Sequence, residues 1–246
     1  MAKGDDFIFG IHPVLEALDS GRELDKVLLK KGPGSGLFKQ LLGQLHRKGI
    51  PVQRVPVERL NRITGKNHQG VVAFLSAIPY GNITRLLPSV YEAGEDPLVL
   101  LLDGISDVRN FGAIARSAEC AGAHAIVIPA SGSARINADA IKTSAGALQR
   151  IPVCRHRDLA AISRFLKESG LRLFAATERA GKTCFETDMK GPAGVILGSE
   201  DRGVSREMLR EADLQVSIPI KGNITSLNVS VAAGILLFEV LRQRQR

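Results

Sequence analysis

The stretch Leu98–Ala118, LVLLLDGISDVRNFGAIARSA, decides the fold class. Five apolar residues without a polar break, Leu98 to Leu102, predict a strand covered on both faces, as in parallel sheets. Asp103, Gly104, Ser106 and Asp107 then turn the chain, and Phe111 to Ala121 reads as a helix. Strand, polar turn and helix form the repeating unit of a parallel α/β sheet, whose ligands bind beyond the carboxyl ends of the strands. Asn110 stands at or near the start of the helix, where a side-chain oxygen suits capping. Arg116 follows on a helix of small residues (Gly112, Ala113, Ala115, Ala118), a surface another backbone can approach closely. Taken alone it reads as a solvated helical arginine.

The same pattern continues downstream. Strands are expected at Ala125–Ile128, Ile151–Cys154, Leu171–Ala175, Val195–Leu197 and Leu214–Ile218. Helices are expected at Ala138–Leu148, Leu159–Glu168 and near Val204–Leu209. Val229–Leu241 reads as a helix apolar on most faces, hence buried or in an interface. Two more strand ends run into glycine and polar groups: Leu197-Gly198-Ser199-Glu200-Asp201-Arg202-Gly203, and the segment from Ile218 through Gly222 to Asn228. Three such ends suit a ligand lying across several strand termini.

Upstream, residues 24–75 read as a smaller α/β unit. Its strands are expected at Leu24–Leu29, Val52–Val55 and Val71–Leu75, with a helix at Leu37–Lys48 and a helical turn or two at Val57–Ile63. His12-Pro13 opens a short helix ahead of them, with proline in its first turn. Pro79, Gly81, Pro88, Gly94 and Pro97 punctuate the next stretch, and the charge changes sign there. The expected organisation is therefore a domain at 1–77, a linker at 78–96 and a second domain at 97–246.

Composition narrows the function classes. Hydrophobic content of 44% and charged content of 24% are ordinary for a globular protein. No apolar run is long enough to span a bilayer, and Met1–Asp6 lacks the apolar core of a signal peptide, so a soluble, cytoplasmic protein without a membrane partner is expected. Cys120, Cys154 and Cys184 are widely spaced and odd in number, which suggests neither a disulfide framework nor a metal site. The net charge is +8; residues 1–80 carry 12 basic against 7 acidic side chains, the denser positive charge of the chain. That favours a polyanionic partner such as nucleic acid.

Several short matches carry no chemistry. Gly181-Lys182-Thr183 resembles the end of a phosphate loop, but Ala176 stands where its first glycine is needed. Gly32-Pro33-Gly34-Ser35-Gly36 has the wrong spacing for a dinucleotide turn and reads as a mobile surface loop. Asn82, Asn223 and Asn228 fit the glycosylation sequon by chance.

The three strand-end segments resemble the signature blocks of the SpoU/TrmH family of RNA ribose 2′-O-methyltransferases. They are Asn110 to Ala118, Leu197 to Gly203, and Ile218 to Ala232, in that order. Gly10-Ile11-His12-Pro13-Val14-Leu15-Glu16-Ala17-Leu18 and Asn67-His68-Gln69-Gly70-Val71-Val72-Ala73 are similar to the family's small, ribosomal-protein-like RNA-binding domain. Size and these blocks are most similar to the branch acting on guanosine in large-subunit (23S) rRNA; a tRNA ribose methyltransferase is the alternative within the family, and a non-catalytic RNA-binding or ribosome-assembly protein the alternative outside it.

The resemblance implies an α/β fold, with a trefoil-knotted α/β (SPOUT) methyltransferase domain behind the small RNA-binding domain. It further implies a homodimer with the active site near its interface, S-adenosylmethionine as methyl donor, and RNA rather than DNA as substrate, either 23S rRNA or a ribosome-assembly intermediate. The cofactor would lie against Thr177, Leu197, Gly198, Ile218, Ile220 and Leu227. Arg116 matches the family's catalytic arginine, with Asn110, Glu200, Ser226 and Asn228 orienting ribose, arginine or cofactor. A guanidinium with a pKa above about 12 is a poor base, so holding a phosphate or a developing alkoxide suits it better. Val108 stands where the family usually has proline, and Asp201 where a small or amide residue is common; neither replaces a catalytic group.

Overall fold

The computed structural model describes residues 7–32, 34 and 36–245. Met1–Asp6, read above for a leader, and Pro33 and Ser35 of the glycine-rich stretch lie outside the described residues. The chain forms two compact units, one built on residues up to Pro79 together with Arg135–Asn137, the other on Tyr80–Ala134 and the chain from Ala138 onward.

The first unit runs β1 (Phe7–Phe9), α1 (Ile11–Asp19), β2 (Leu24–Lys30), α2 (Gly36–Arg47), β3 (Val52–Val55), α3 (Val57–Asn61) and β4 (Val71–Leu75). The sheet order is β1-β4-β2-β3, antiparallel except for β2 against β3. Alternation along β2 sorts its residues: Val27 and Leu29 pack with α1 and α2, while Leu28 joins Val55, Leu60 and Val72 on the other face. Phe7, Phe9 and Phe74 are only partly buried on that second face. The strand β1 was not expected; three residues are too few to show a period.

The two N-terminal family blocks meet in space. Ile11 N donates to Gln69 Oε1 at 3.1 Å, and Gly10 N donates to Val71 O at 3.0 Å. Gln69 is held at φ 52° just before Gly70 at φ 82°. The buried His68 accepts from Gly70 N at Nδ1 (2.9 Å), so its proton sits on Nε2, which donates to Asn61 Oδ1 at 2.8 Å.

The second unit runs β5 (Tyr80–Gly81), α4 (Ile83–Glu92), β6 (Leu98–Asp103), α5 (Val108–Cys120), β7 (Ala125–Pro129), α6 (Ala138–Thr143), β8 (Val153–His156), α7 (Leu159–Glu168), β9 (Arg172–Ala176), β10 (Ala193–Gly198), α8 (Arg206–Glu211), β11 (Leu214–Val216) and α9 (Val229–Arg244). Its sheet has the order β11-β9-β10-β6-β7-β8-β5, each neighbour parallel. From β6 the chain builds outward through β7 and β8, then returns to build β10, β9 and β11 on the other side. Leu98 to Leu102 are each at most 1% exposed. Burial of such side chains is worth about 1.5–3 kcal/mol apiece as an upper bound against an extended chain.

Residues 78–96 are not a free linker. They hold β5, paired with β8, and α4, whose Ile83 and Leu87 enter the core of the second unit. Pro88 lies inside α4 and removes one helical hydrogen bond, yet Ile83, Leu87 and Val90 keep the buried stripe of a helix. The helix expected over Ala138–Leu148 stops at Thr143, because Ala145 (φ 50°) and Gly146 (φ 86°) both adopt left-handed backbone; a 3₁₀ turn at Ala147–Gln149 follows.

The helix α9 packs on α5 and β10 through residues such as Ala233, Leu236, Leu237 and Val240. On its other side Val231 and Phe238 are 50% and 48% exposed. The buried Glu239 carboxylate accepts from Arg242 Nε (2.8 Å) and Nη2 (2.6 Å) and from Gln243 Nε2 (2.7 Å). Arg244 donates to the carbonyls of Asp96 (2.9 Å), Pro97 (2.9 Å) and Gly191 (2.7 Å), tying the end of α9 to the segments that lead into β6 and β10. No helix among the described residues is long and apolar enough to cross a membrane.

Candidate active site

The carboxyl edge of the parallel sheet gathers the polar residues that interrupt its apolar strands. Asp103 ends β6 opposite Gly198, the last residue of β10. Its Oδ2 accepts from Ser205 N at 2.8 Å, which fastens the loop after β10 to the end of β6. That loop is closed on itself: Gly203 N donates to Ser199 O at 2.8 Å, with Gly203 at φ 66°. The fit is so close that a Cβ on Gly198 would lie 1.9 Å from the Gly203 carbonyl carbon. Glycine is required at 198 because two backbone segments touch there.

Asn110 was expected at or near the cap of α5. The cap is Asp107, whose Oδ1 accepts from Arg109 N and Asn110 N, each at 2.8 Å. Asn110 lies one turn in, with its side chain free for a different partner. At α9, Asn228 is the cap: its Oδ1 accepts from Ser230 N at 3.0 Å and Ser230 Oγ at 2.6 Å. Those two donors fix the amide's orientation and leave Nδ2 for acceptors. Its two hydrogens go to Asn110 Oδ1 at 3.0 Å and Glu200 Oε1 at 2.7 Å. One amide thus joins all three strand-end segments, across 118 and 28 residues of sequence.

Beside this junction lies a cavity of about 450 Å³, within the usual range for a small-molecule or cofactor site. All six residues expected to hold a cofactor line it: Thr177, Leu197, Gly198, Ile218, Ile220 and Leu227. Glu200, Ser226 and Asn228 line it too. Thr177 is positioned by Thr177 N donating to Val216 O at 3.0 Å, the last link between β9 and β11. Arg179 and Arg202, which the sequence reading did not single out, also face the cavity. The segment 221–228 is exposed along its length, with Ile224 78% exposed. Apolar side chains beside backbone and a few fixed polar groups fit a nucleoside with a charged tail.

Arg116 is the exception. It is exposed on α5, its side chain makes no hydrogen bond or ion pair to another described residue, and it is not part of the cavity wall. Six residues beyond Asn110 place it about 9 Å along the helix and about 120° around it. Gly112 faces α6 instead, where an added Cβ would come within 2.7 Å of the Thr143 side chain.

A strand-end cavity closed by a glycine-tight loop and capped by three convergent polar residues marks a cofactor-dependent enzyme of the α/β class. Residues 97–238 match the model of the SpoU rRNA methylase family, and residues 7–81 match a model described as RNA 2′-O ribose methyltransferase substrate binding. The chain belongs to the SpoU rRNA methylase family. A relative from Xanthomonas campestris, the 23S rRNA (guanosine-2′-O-)-methyltransferase RlmB, is 39% identical over 246 residues, covering 99% of both chains. A Bacillus subtilis relative, YacO, is 34% identical over 244 residues (99% of this chain, 98% of that one) and is named only to the level of a TrmH family tRNA/rRNA methyltransferase. Among solved structures, the AdoMet-bound rRNA methyltransferase of Sinorhizobium meliloti superposes with a TM-score of 0.61 at 25% identity, over 96% of this chain and 86% of that one.

Proposed function

We propose that this protein transfers a methyl group from S-adenosylmethionine to the ribose 2′-hydroxyl of a guanosine in 23S rRNA. The observation that carries the reading is the Asn110–Asn228–Glu200 junction at the rim of the strand-end cavity. Relatives named for that reaction over nearly the whole chain support the choice of substrate.

When bound, S-adenosylmethionine supplies an electrophilic methyl group. The chain's own residues do the rest. Leu197, Ile218 and Leu227 would offer apolar contact and backbone groups to the cofactor, and Gly198 lets the loop after β10 close tightly on itself. A ribose 2′-hydroxyl has a pKa far above neutral, so it must be polarised or deprotonated as it attacks. With Asn228 fixing one oxygen of Glu200, the other is left as an acceptor for the ribose hydroxyl. The amide of Asn110 accepts from Asn228 through its oxygen, which leaves its NH₂ to donate to the substrate. Ser226 adds a hydroxyl on the cavity side. Arg116 holds the adjacent phosphate or the developing alkoxide, an electrostatic role rather than that of a base.

Arg116 is exposed and does not line its own chain's cavity, so its role calls for a second copy. A homodimer through the α5/α9 side would bring it there and would cover Val231 and Phe238, which lie seven residues apart on one face of α9. The proposal includes the C-terminal trefoil knot, which membership of the SpoU rRNA methylase family supports, and a cytoplasmic location with rRNA or an assembly intermediate as partner. The expected domain at 1–77, which falls in the first unit, recruits RNA; the expected domain at 97–246 carries methyl transfer, with β5 and α4 of the 78–96 segment completing its sheet and core. Mapping 2′-O-methylation in cellular RNA with and without the gene tests the substrate. Loss of one methylated guanosine in 23S rRNA is expected, and loss confined to tRNA would overturn it.

A further inference from the structure

The first unit holds a concavity of about 670 Å³ whose wall is cationic and whose floor is apolar. Lys26 from β2 and Arg59 and Arg62 from the α3 segment line it, over Leu28, Ile63 and Phe74. Lys26 and Phe74 are paired across β2 and β4, and the Lys26 ammonium lies 5.4 Å from the centre of the Phe74 ring. None of the three cations has a hydrogen bond or ion pair to another described residue, although the Glu58 carboxylate is on the same wall. Burial lowers the pKa of Lys26, and Arg135 and then Arg59 add to that lowering against the opposing pull of Asp25. Three cations line the hollow against one carboxylate, Glu58, with Asp25 beside Lys26, so a net mutual repulsion remains. An arriving anion relieves that repulsion.

We infer that this hollow is a binding site for the sugar-phosphate backbone of RNA, with Arg59 and Arg62 gripping phosphate and Lys26 below them. The inference rests on the reading of the chain as an RNA methyltransferase and places a substrate contact within the first unit, on residues that take no part in methyl transfer. Two features favour a single-stranded segment over a duplex. The site is a hollow of limited volume, which admits one backbone with its sugar or base against the apolar floor of Leu28 and Ile63. It also sits on a sheet face with half-buried aromatics, Phe7 and Phe9, and Lys66 lies 5.9 Å from the centre of the Phe9 ring. Mixed cationic and aromatic surfaces of this kind suit unpaired strands.

The test uses the full chain and its Arg59→Glu/Arg62→Glu variant, with binding of a single-stranded 23S rRNA fragment followed from 0.05 to 0.3 M salt. Each lost phosphate contact should reduce the steepness of log K against log salt by about 0.7, so the variant's slope should fall by about 1.4. Affinity near physiological salt should drop about tenfold or more, KM for RNA should rise in step, and kcat should stay within twofold. Affinity for S-adenosylmethionine by calorimetry should not change, which also shows that the second unit is intact. A second variant, Arg59→Ala/Arg62→Ala, should give the same slope change if a structural effect of the new acids is not responsible. An unchanged slope with normal wild-type activity overturns this site alone. A wild-type protein that methylates no RNA overturns the functional reading instead. Loss of binding to ribosomal particles with undiminished binding to naked RNA would assign the hollow to a protein partner and also overturn the inference.

Discussion

Lys26 and Phe74 are partners across the middle of the four-stranded sheet, whereas Asp103 and Gly198 are partners at the carboxyl edge of the parallel one. In the first unit, one sheet face is closed by α1 and α2 and the other only partly by α3, so polar and aromatic side chains alternate with core residues and look outward. In the second, β6 is apolar and buried from Leu98 to Leu102, and its one polar residue, Asp103, stands at the end. Chemistry there is confined to the edge where the strands stop. The architecture of each sheet thus decides where function can be placed before any particular residue is chosen.

The largest effect should come from the residue that breaks this rule. Arg116→Ala leaves the edge cavity untouched and should still cost about 10²–10³-fold in kcat, with cofactor affinity within about threefold. A fully active variant would show that the edge of one chain suffices. Asn228 gives a finer division between scaffold and chemistry. Asn228→Ala should lose about a hundredfold in turnover and about 1 kcal/mol of stability, since the α9 cap is lost with the two donated hydrogen bonds. Asn228→Asp keeps oxygens for Ser230 N and Oγ and so should recover the stability, but it has no hydrogens for Asn110 and Glu200 and should stay slow. Recovery of both would mean that the junction is only a cap.

The smallest effect is a readout that sees one region only. All three cysteines lie in the second unit: Cys120 is exposed, while Cys154 and Cys184 are buried. Burial pushes the Cys154 thiol up to about 11 and raises that of Cys184. Because the folded state keeps these thiols neutral, a disulfide reagent at pH 8 should titrate one thiol rapidly and the other two only as the second unit opens. Rapid reaction of all three would show that the parallel sheet is not closed as described.

Much of the second unit was legible because apolar runs ending in glycine and polar residues mark the strand ends directly. Leu159–Glu168 and Val52–Val55 emerged with the expected bounds. The segment around Pro88 was read as a linker because proline and glycine signal breaks, yet a stripe of Ile83, Leu87 and Val90 outweighed them. Asp107 and Asn110 are both good caps three residues apart, and only backbone geometry chooses between them. The residues at the strand ends were individually visible. That Asn228 joins Asn110 to Glu200 was not, because nothing local to any of the three segments encodes which amide hydrogen meets which oxygen. The hollow at Lys26 left no trace either, since a face-borne site repeats the same alternation that builds the core.

The carbonyl clamp of Arg244 also has a temporal side. A chain made from its N-terminus possesses every strand of the parallel sheet before it possesses Asn228, and Arg244 comes later still. Segments 96–97 and 191, already synthesised, wait for that guanidinium. The Asn110–Asn228–Glu200 junction therefore closes only after every strand of the parallel sheet has been made, and β6 can pack against its neighbours before that junction exists.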